Sequence, residues 1–290
     1  MASNIYLNDF IWTVNPNDSI GKHILRQEIW EPHLISFMKH FIKEGQICLD
    51  IGANFGWHTL HMAKITGKTG SVYAFEPLKE NVYLLKKNIN ENNIKNVILH
   101  EVALGNTRQT STICNAYLGN KTNIGDSFVS THYKYRDGHQ DLKIDDFIGK
   151  EEIIVKLNKQ LAFIEKLDNI KIRDKVDFIK LDVQGYELMV LEGAQKILRN
   201  DRPVIAIELE DPTNVLYGYD CGVLLDYIRS FDYDVYFLYA KYPADHICLP
   251  KEKIEDFEKM FEGKIYNHIE NNGLNNNYKN GVVKKIVLDY

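Results

Sequence analysis

The stretch Ile47-Cys48-Leu49-Asp50-Ile51-Gly52-Ala53-Asn54-Phe55-Gly56, with the helical pattern that follows it, limits the fold more than any other part of the chain. An apolar strand runs into a turn holding two glycines, and a helix begins at once. That succession brings backbone N–H groups and a helix N-terminus to the carboxyl end of a strand, where a ligand can approach. The same grammar returns downstream. Residues 71–75 form an apolar strand ending on Glu76-Pro77, a helix covers residues 81–90, and residues 97–104 read as a third strand. Residues 177–181 and 204–210 are further strands running into Asp182 and into Glu208 and Glu210, and residues 186–198 form one helix with Val190, Leu191, Ala194, Ile197 and Leu198 on a single face.

Strands that alternate with helices predict an α/β chain with a mostly parallel central sheet and helices on both faces, and such sheets bind ligands at the carboxyl ends of their strands. Asp50, Glu76, Asp182 and Glu208 all fall at that edge. A single acid there is an ordinary strand end; four favour a site. The pattern is weaker elsewhere. Residues 1–22 suggest an irregular or short-stranded arm, residues 24–42 a helix pair interrupted by Pro32, residues 105–149 a long irregular insertion, and residues 153–167 either a strand or a helix. A helix over 223–228, a strand over 234–239, a helix over 251–261, an asparagine-rich loop over 271–280 and a final strand over 282–288 complete the reading. No linker divides the chain, so one domain over 1–290 is expected, with an arm and helices to 44, a core over 45–240 and a C-terminal extension over 241–290.

With 290 residues and 44% hydrophobic content the chain can bury a full core. A net charge of -5 and no Lys/Arg-rich run leave no basic footprint, so nucleic acid is not expected as a partner. Cys48, Cys114, Cys221 and Cys248 stand far apart with no C-x-x-C pair, which points to reduced thiols. The N-terminus has no signal-peptide pattern and no stretch is long enough to span a membrane; a soluble, cytoplasmic protein is expected. The oligomeric state is not legible.

The turn discriminates among cofactors. A dinucleotide fold would offer G-x-G-x-x-G, whereas here Asp50 precedes the first glycine and Asn54 stands where a second would sit; the phosphate-binding G-x-x-x-x-G-K-[ST] pattern is absent as well. A carboxylate at Asp50 repels a pyrophosphate but suits S-adenosylmethionine, which has no phosphate and carries a cationic sulfonium and amino group. Glu76 lies 24 residues beyond Gly52, near the separation at which nucleoside-binding folds place an acid for ribose hydroxyls.

The ordered series Asp50-Ile-Gly-Ala-Asn-Phe-Gly56, Phe75-Glu76-Pro77, Ala103-Leu104-Gly105-Asn106, Phe178-Ile-Lys-Leu-Asp182-Val-Gln-Gly185-Tyr-Glu187 and Leu191-Glu-Gly-Ala194 resembles the FkbM family of S-adenosylmethionine-dependent methyltransferases over residues 45–210. The resemblance implies a Rossmann-like class I methyltransferase fold and O-methylation, often of sugar or other hydroxyl groups. It implies that the turn from Asp50 through Gly52, Ala53 and Asn54 to Gly56 surrounds the methionine part of the cofactor, that Glu76 accepts from the ribose, that Glu101, Val102 and Ala103 lie near the adenine, and that Asp182 faces the methyl group. One departure is visible: Gln184 stands where the family commonly has an acid.

Methyl transfer to a hydroxyl needs in-line approach and removal of a proton. Asp182 is the first candidate base, with Glu208 beside it; His58, just after the turn, is another, or with His61 a packing residue. A rival arrangement uses Asp182 with Glu208, Glu210 or Asp211 to hold Mg²⁺ on the acceptor hydroxyls. Asn123, Gly125, Asp126, Ser127, His132, Tyr133 and Tyr135 in the insertion, and Tyr217-Gly218-Tyr219, are candidates for the wall facing a small-molecule or glycan acceptor. The alternative to an enzyme is a methyltransferase-like domain without catalysis that serves as a binding or assembly partner.

Overall fold

The computed structural model describes residues 2–118, 121–122, 128–129, 155–209, 217–238, 245–267 and 284–288. Its first elements are a hairpin of β1 (Ser3–Leu7) and β2 (Phe10–Val14), then α1 (Ser19–Gln27) and α2 (Pro32–Phe41). Asp18 starts α1 by accepting from the N–H groups of Ile20 and Gly21, and Pro32 sits in the first turn of α2, where its missing N–H costs nothing. The arm takes the short-stranded of its two expected forms, and α1 and α2 are the helix pair expected on either side of Pro32.

Next come β3 (Ile47–Ile51), α3 (Trp57–Thr66), β4 (Ser71–Phe75), α4 (Lys79–Glu91) and β5 (Val97–His100). The expected third strand is broken at Glu101-Val102, and its remainder, β6 (Ala103–Leu104), leaves the main sheet. The predicted insertion begins instead with a ten-residue strand, β7 (Gln109–Leu118), followed by the short β8 (Lys121–Thr122) and β9 (Phe128–Val129). Threonines and Ile113 in β7 suit a pleated ribbon, and its antiparallel partner β10 (Val155–Glu165) settles the strand-or-helix ambiguity there.

The second half holds β11 (Phe178–Leu181), α5 (Glu187–Glu192), α6 (Gln195–Asn200), β12 (Val204–Glu208), α7 (Cys221–Arg229), β13 (Tyr233–Leu238), β14 (Asp245–Pro250), α8 (Ile254–Met260), β15 (Ile265–Asn267) and β16 (Lys284–Ile286). The single helix expected over 186–198 is two, because the chain turns at Gly193, where a Cβ would lie 2.0 Å from the Gly105 carbonyl oxygen. The asparagine-rich stretch 271–280 lies outside the described residues.

The main sheet runs β15-β16-β13-β14-β12-β11-β3-β4-β5, with β12, β11, β3, β4 and β5 parallel and β14 antiparallel between β12 and β13. β14, a strand that no sequence pattern had marked, takes its register from Ile247 opposite Ala206. Alternation along the strands builds two cores. Ile47, Leu49, Ile51, Phe75, Ile179 and Leu181 pack with α5, α6 and α7, while Cys48, Val72, Ala74, Phe178 and Ala206 pack with α2, α3, α4 and the N-terminal hairpin. Each large side chain buried this way contributes ~1.5–3 kcal/mol. The fold is α/β with a largely parallel sheet covered by helices on both faces. Among the described residues no helix is long and apolar enough to cross a membrane.

Candidate active site

The parallel strands grow outward in opposite directions from β3 and β11, and the crevice at the carboxyl ends of such a pair is where ligands bind in open α/β sheets. Here the crevice is a cavity of about 330 Å³. Its floor is the turn after β3. Gly52 has φ +81, and a Cβ there would lie 1.9 Å from the Asp182 carbonyl oxygen, so no other residue fits the junction between β3 and β11. The N–H groups of Gly52 and Ala53 donate to the Phe75 carbonyl at 3.1 and 3.0 Å and pin the turn to the end of β4. Asn54 has φ 51, a left-handed conformation that asparagine tolerates better than most residues.

Strand order sets the order of chemistry along the cavity. Beyond β5 the wall is apolar, with Val102, Ala103, Leu104 and Ile113 beside Phe75 and Leu78. Glu76 follows at the end of β4, then the turn with Gly52, Ala53 and Asn54, then Asp182 after β11 and Glu208 at the end of β12; His58, Glu31 and Lys180 also line the cavity.

Glu76 is buried, and each carboxyl oxygen accepts one backbone N–H, Oε2 from Asn54 at 2.8 Å and Oε1 from Leu78 at 2.9 Å. Burial pushes its pKa up to about 7, against the pull of those two bonds and of Asn81. The carboxylate is thereby fixed in direction, with lone pairs left for further donors.

Asp182 is held differently. Oδ2 accepts from the buried Lys180 ammonium at 3.0 Å and Oδ1 from the Gln184 amide at 2.8 Å. Burial would raise its carboxyl, yet the Lys180 charge and these hydrogen bonds prevail and hold it below the ordinary value. Burial likewise disfavours the Lys180 charge, but Asp182, Asp50 and Glu31 outweigh it and raise the ammonium. Lys180 also donates to the Gly52 carbonyl at 3.2 Å, so one side chain ties strand, turn and acid together. The Gln184 amide reaches a second carboxylate, Oε2 of Glu208, at 3.0 Å, bridging the ends of β11 and β12. Glu187 accepts from the N–H groups of Val183 and Gly185 at 3.0 and 3.2 Å and shapes that turn; burial lifts it to about 7.

Of the residues predicted to meet a cofactor, Gly52, Ala53, Asn54, Glu76, Val102, Ala103 and Asp182 line the cavity, and Asp50, Gly56 and Glu101 do not. Asp50 is fully buried behind the turn, its Oδ2 accepting from Thr59 at 2.5 Å and its Oδ1 3.9 Å from Lys180. Gly56 faces Leu85, and Glu101 turns outward to Lys86 at 2.5 Å. His58 and Glu208 are on the wall. His61 is a packing residue: Nδ1 meets the Trp57 carbonyl at 2.7 Å, the ring stacks on Trp12, and burial lowers it to about 4. Glu210 and Asp211 lie outside the described residues, as do Asn123, Gly125, Asp126, Ser127, His132, Tyr133 and Tyr135. Among the described residues no three His, Cys, Asp or Glu side chains form a metal cluster. Tyr217 is buried edge-on against Tyr186, and Tyr219 donates to the Gly185 carbonyl at 2.6 Å, so both support the wall from behind.

Sequence reasoning missed Lys180 and the contribution of Ser19, Ile20, Trp30 and Glu31 to the cavity. A lysine inside the apolar run of β11 was a signal for the first, since a lysine is almost never buried unpaired. Nothing in the arm's pattern marked the second.

Against this geometry stand the relationships of the chain to known proteins. The sequence is 36% identical over 73 residues to the protein-L-isoaspartate O-methyltransferase of Methanosarcina mazei, covering 24% of this chain and 30% of that protein. It is 32% identical over 87 residues to that of Methanothrix thermoacetophila, covering 29% and 41%. The chain thus spans less than half the length of the curated relatives it matches. The solved structure of methyltransferase FkbM from Methylobacillus flagellatus aligns with 71% of this chain and 44% of its own at 18% identity and a TM-score of 0.46. The sequence model of the methyltransferase FkbM domain matches residues 50–235, well over half of the chain. The chain belongs to the FkbM family of S-adenosylmethionine-dependent methyltransferases.

Proposed function

We propose that the protein is an O-methyltransferase that uses S-adenosylmethionine and whose acceptor is a neutral hydroxyl, most specifically a sugar hydroxyl of a glycan or glycoconjugate. The observation that carries this reading is the place of Glu76: a carboxylate held by two backbone N–H groups, with an apolar wall on one side along the sheet edge and a charged wall on the other. The residues present fit the cofactor. Glu76 would take the ribose hydroxyls, the wall of Val102, Ala103, Leu104 and Ile113 the adenine, and Gly52, Ala53, Asn54 and Asp182 the methionine part. When bound, S-adenosylmethionine supplies a methyl group made electrophilic by the sulfonium.

The acceptor end argues for a neutral substrate. Glu31, Asp182 and Glu208 place three carboxylates there against the single ammonium of Lys180, so an anionic acceptor such as a carboxylate meets net repulsion. A sugar hydroxyl meets acceptors for its protons instead, and Trp30 gives the wall an aromatic edge. Asp182, with both oxygens engaged and its carboxyl lowered, is suited to holding the turn and facing a cation, and is a poor proton acceptor.

The test is incubation of the protein with isotopically labelled S-adenosylmethionine and a panel of monosaccharides, methyl glycosides and oligosaccharides, read by mass spectrometry. Label on a sugar is expected. Cofactor binding without label on any member of the panel would overturn the sugar acceptor and favour the non-catalytic assembly domain, and no cofactor binding at all would overturn the enzyme.

A further inference from the structure

The cavity has a wall that lies outside the matched family segment. Trp30 and Glu31 come from the link between α1 and α2, before residue 50, and Glu31 places its carboxylate Oε2 3.1 Å from Nε2 of His58, the second residue of α3. Both side chains are largely shielded from water, at 7% exposure for His58 and 10% for Glu31. Nε2 of His58 is fully buried and makes no aligned hydrogen bond among the described residues, so the Glu31 carboxylate is the group placed to receive its proton.

The backbone carries the second observation. Glu31 has φ 44 and ψ 56, a left-handed conformation that a residue with a Cβ rarely adopts and that a following proline disfavours further. Strain of that kind persists only where the surroundings hold it, and it gathers at functional sites. Here the Trp30 carbonyl accepts from the Trp57 indole N–H at 3.0 Å, which anchors the link directly over the start of α3 and aims Glu31 at His58.

We infer that His58 is the proton acceptor for the substrate hydroxyl and that Glu31 is its positioning residue, supplied by the N-terminal arm. This rests on the methyltransferase reading above. With the proton of the neutral imidazole held on Nε2 by Glu31, Nδ1 keeps a lone pair for the substrate. The proton leaves the acceptor hydroxyl for Nδ1 as the oxygen takes the methyl group. The positive charge that the donor loses on becoming a thioether appears on the imidazolium, beside the Glu31 carboxylate. The arrangement is a base oriented by a third group, and apo contacts in such pairs tighten only when substrate arrives.

The experiment uses the full chain with ¹⁵N-labelled histidine, with His58→Asn to assign the resonances, and compares wild type with E31Q and E31G. The glycine variant suits the left-handed backbone at residue 31, so it keeps the inference testable if E31Q shifts the link. In wild type the neutral His58 ring is expected to carry its proton on Nε2. E31G should give a mixture of tautomers, and E31Q, whose amide oxygen still accepts, should keep the wild-type form. On whichever sugar the labelled panel identifies, E31G is expected to lower kcat at least tenfold while the Kd for S-adenosylmethionine changes less than threefold. A His58 tautomer that is the same in E31G as in wild type would overturn the inference. Failure of wild type to bind S-adenosylmethionine would overturn the methyltransferase reading instead, and the tautomer readout needs neither cofactor nor acceptor.

Discussion

Two carboxylates stand at the ends of parallel strands on either side of the β3 turn and line one cavity, Glu76 buried and Asp182 half-buried, and they are driven in opposite directions. Glu76 is held by neutral backbone donors, and burial takes it up to about 7. Desolvation also works to raise Asp182, but an ammonium 3.0 Å away reverses the sign. Backbone dipoles orient a carboxylate without pairing it to a counter-charge, which leaves its lone pairs available to a ligand's donors; a buried lysine engages the carboxylate internally. One end of the cavity thus keeps acceptor lone pairs for hydroxyl donors, as the proposed cofactor role of Glu76 requires, and the other is a self-paired network that ties the turn to the ends of β11 and β12.

The largest test of this contrast removes the lysine. Lys180→Met leaves Asp182 and Asp50 without their shared cation, and breaking a buried pair in this way is expected to cost about 3–5 kcal/mol, read as a lower midpoint in urea unfolding. The Asp182 carboxyl should then rise as Glu76 does, which NMR titration would follow. An unchanged midpoint would mean that Lys180 does not hold this end together.

A smaller effect separates the two kinds of carboxyl by pH. Glu76 and Glu187 sit near 7 when folded against an ordinary 4.5, so the stability each contributes is fully present below 4.5 and is lost as pH rises through 7. Asp182, lowered from 3.8, contributes stability that is present above that value and lost only as pH falls through its folded value. Glu187→Gln should therefore flatten the fall in stability between pH 4.5 and 7, by on the order of 3 kcal/mol across the window. A parallel pH profile for the variant and wild type would contradict the assignment.

The smallest expected effect is none. Because Asp182 is already paired with Lys180 and bridged to Glu208 by Gln184, chelator is expected to leave methyl transfer to the proposed acceptor unchanged. Activity that is lost in chelator and restored by Mg²⁺ would show that the network opens to a cation.

The parts of this site that local pattern controls were legible in the sequence. β3 with its glycine turn, β4 ending on Glu76 and β11 ending on Asp182 could be read because a buried parallel strand is a short apolar run and its end is marked by a change of polarity. What depended on partners distant in the chain was not. Asp50 looks like a cavity acid in the string, but Thr59 and Lys180 draw it behind the wall. The break after β5 exists because Ala103 and Leu104 pair with Ile164 and Glu165 in another sheet, and β14 is a strand because a gap between β12 and β13 accepts it. Glu31 reaches the cavity only through the packing of the arm on α3, which no spacing within the arm encodes.

The central claim is that the Glu76 end, and not the Asp182 end, carries the cofactor's affinity. Calorimetric titration of S-adenosylmethionine into wild type, Glu76→Ala and Asp182→Asn tests it most directly. The account predicts binding to wild type, a loss of about 2–3 kcal/mol in Glu76→Ala from two hydrogen bonds to a charged acceptor, and a much smaller loss in Asp182→Asn. Equal affinity of Glu76→Ala and wild type, or a larger loss in Asp182→Asn than in Glu76→Ala, would contradict it.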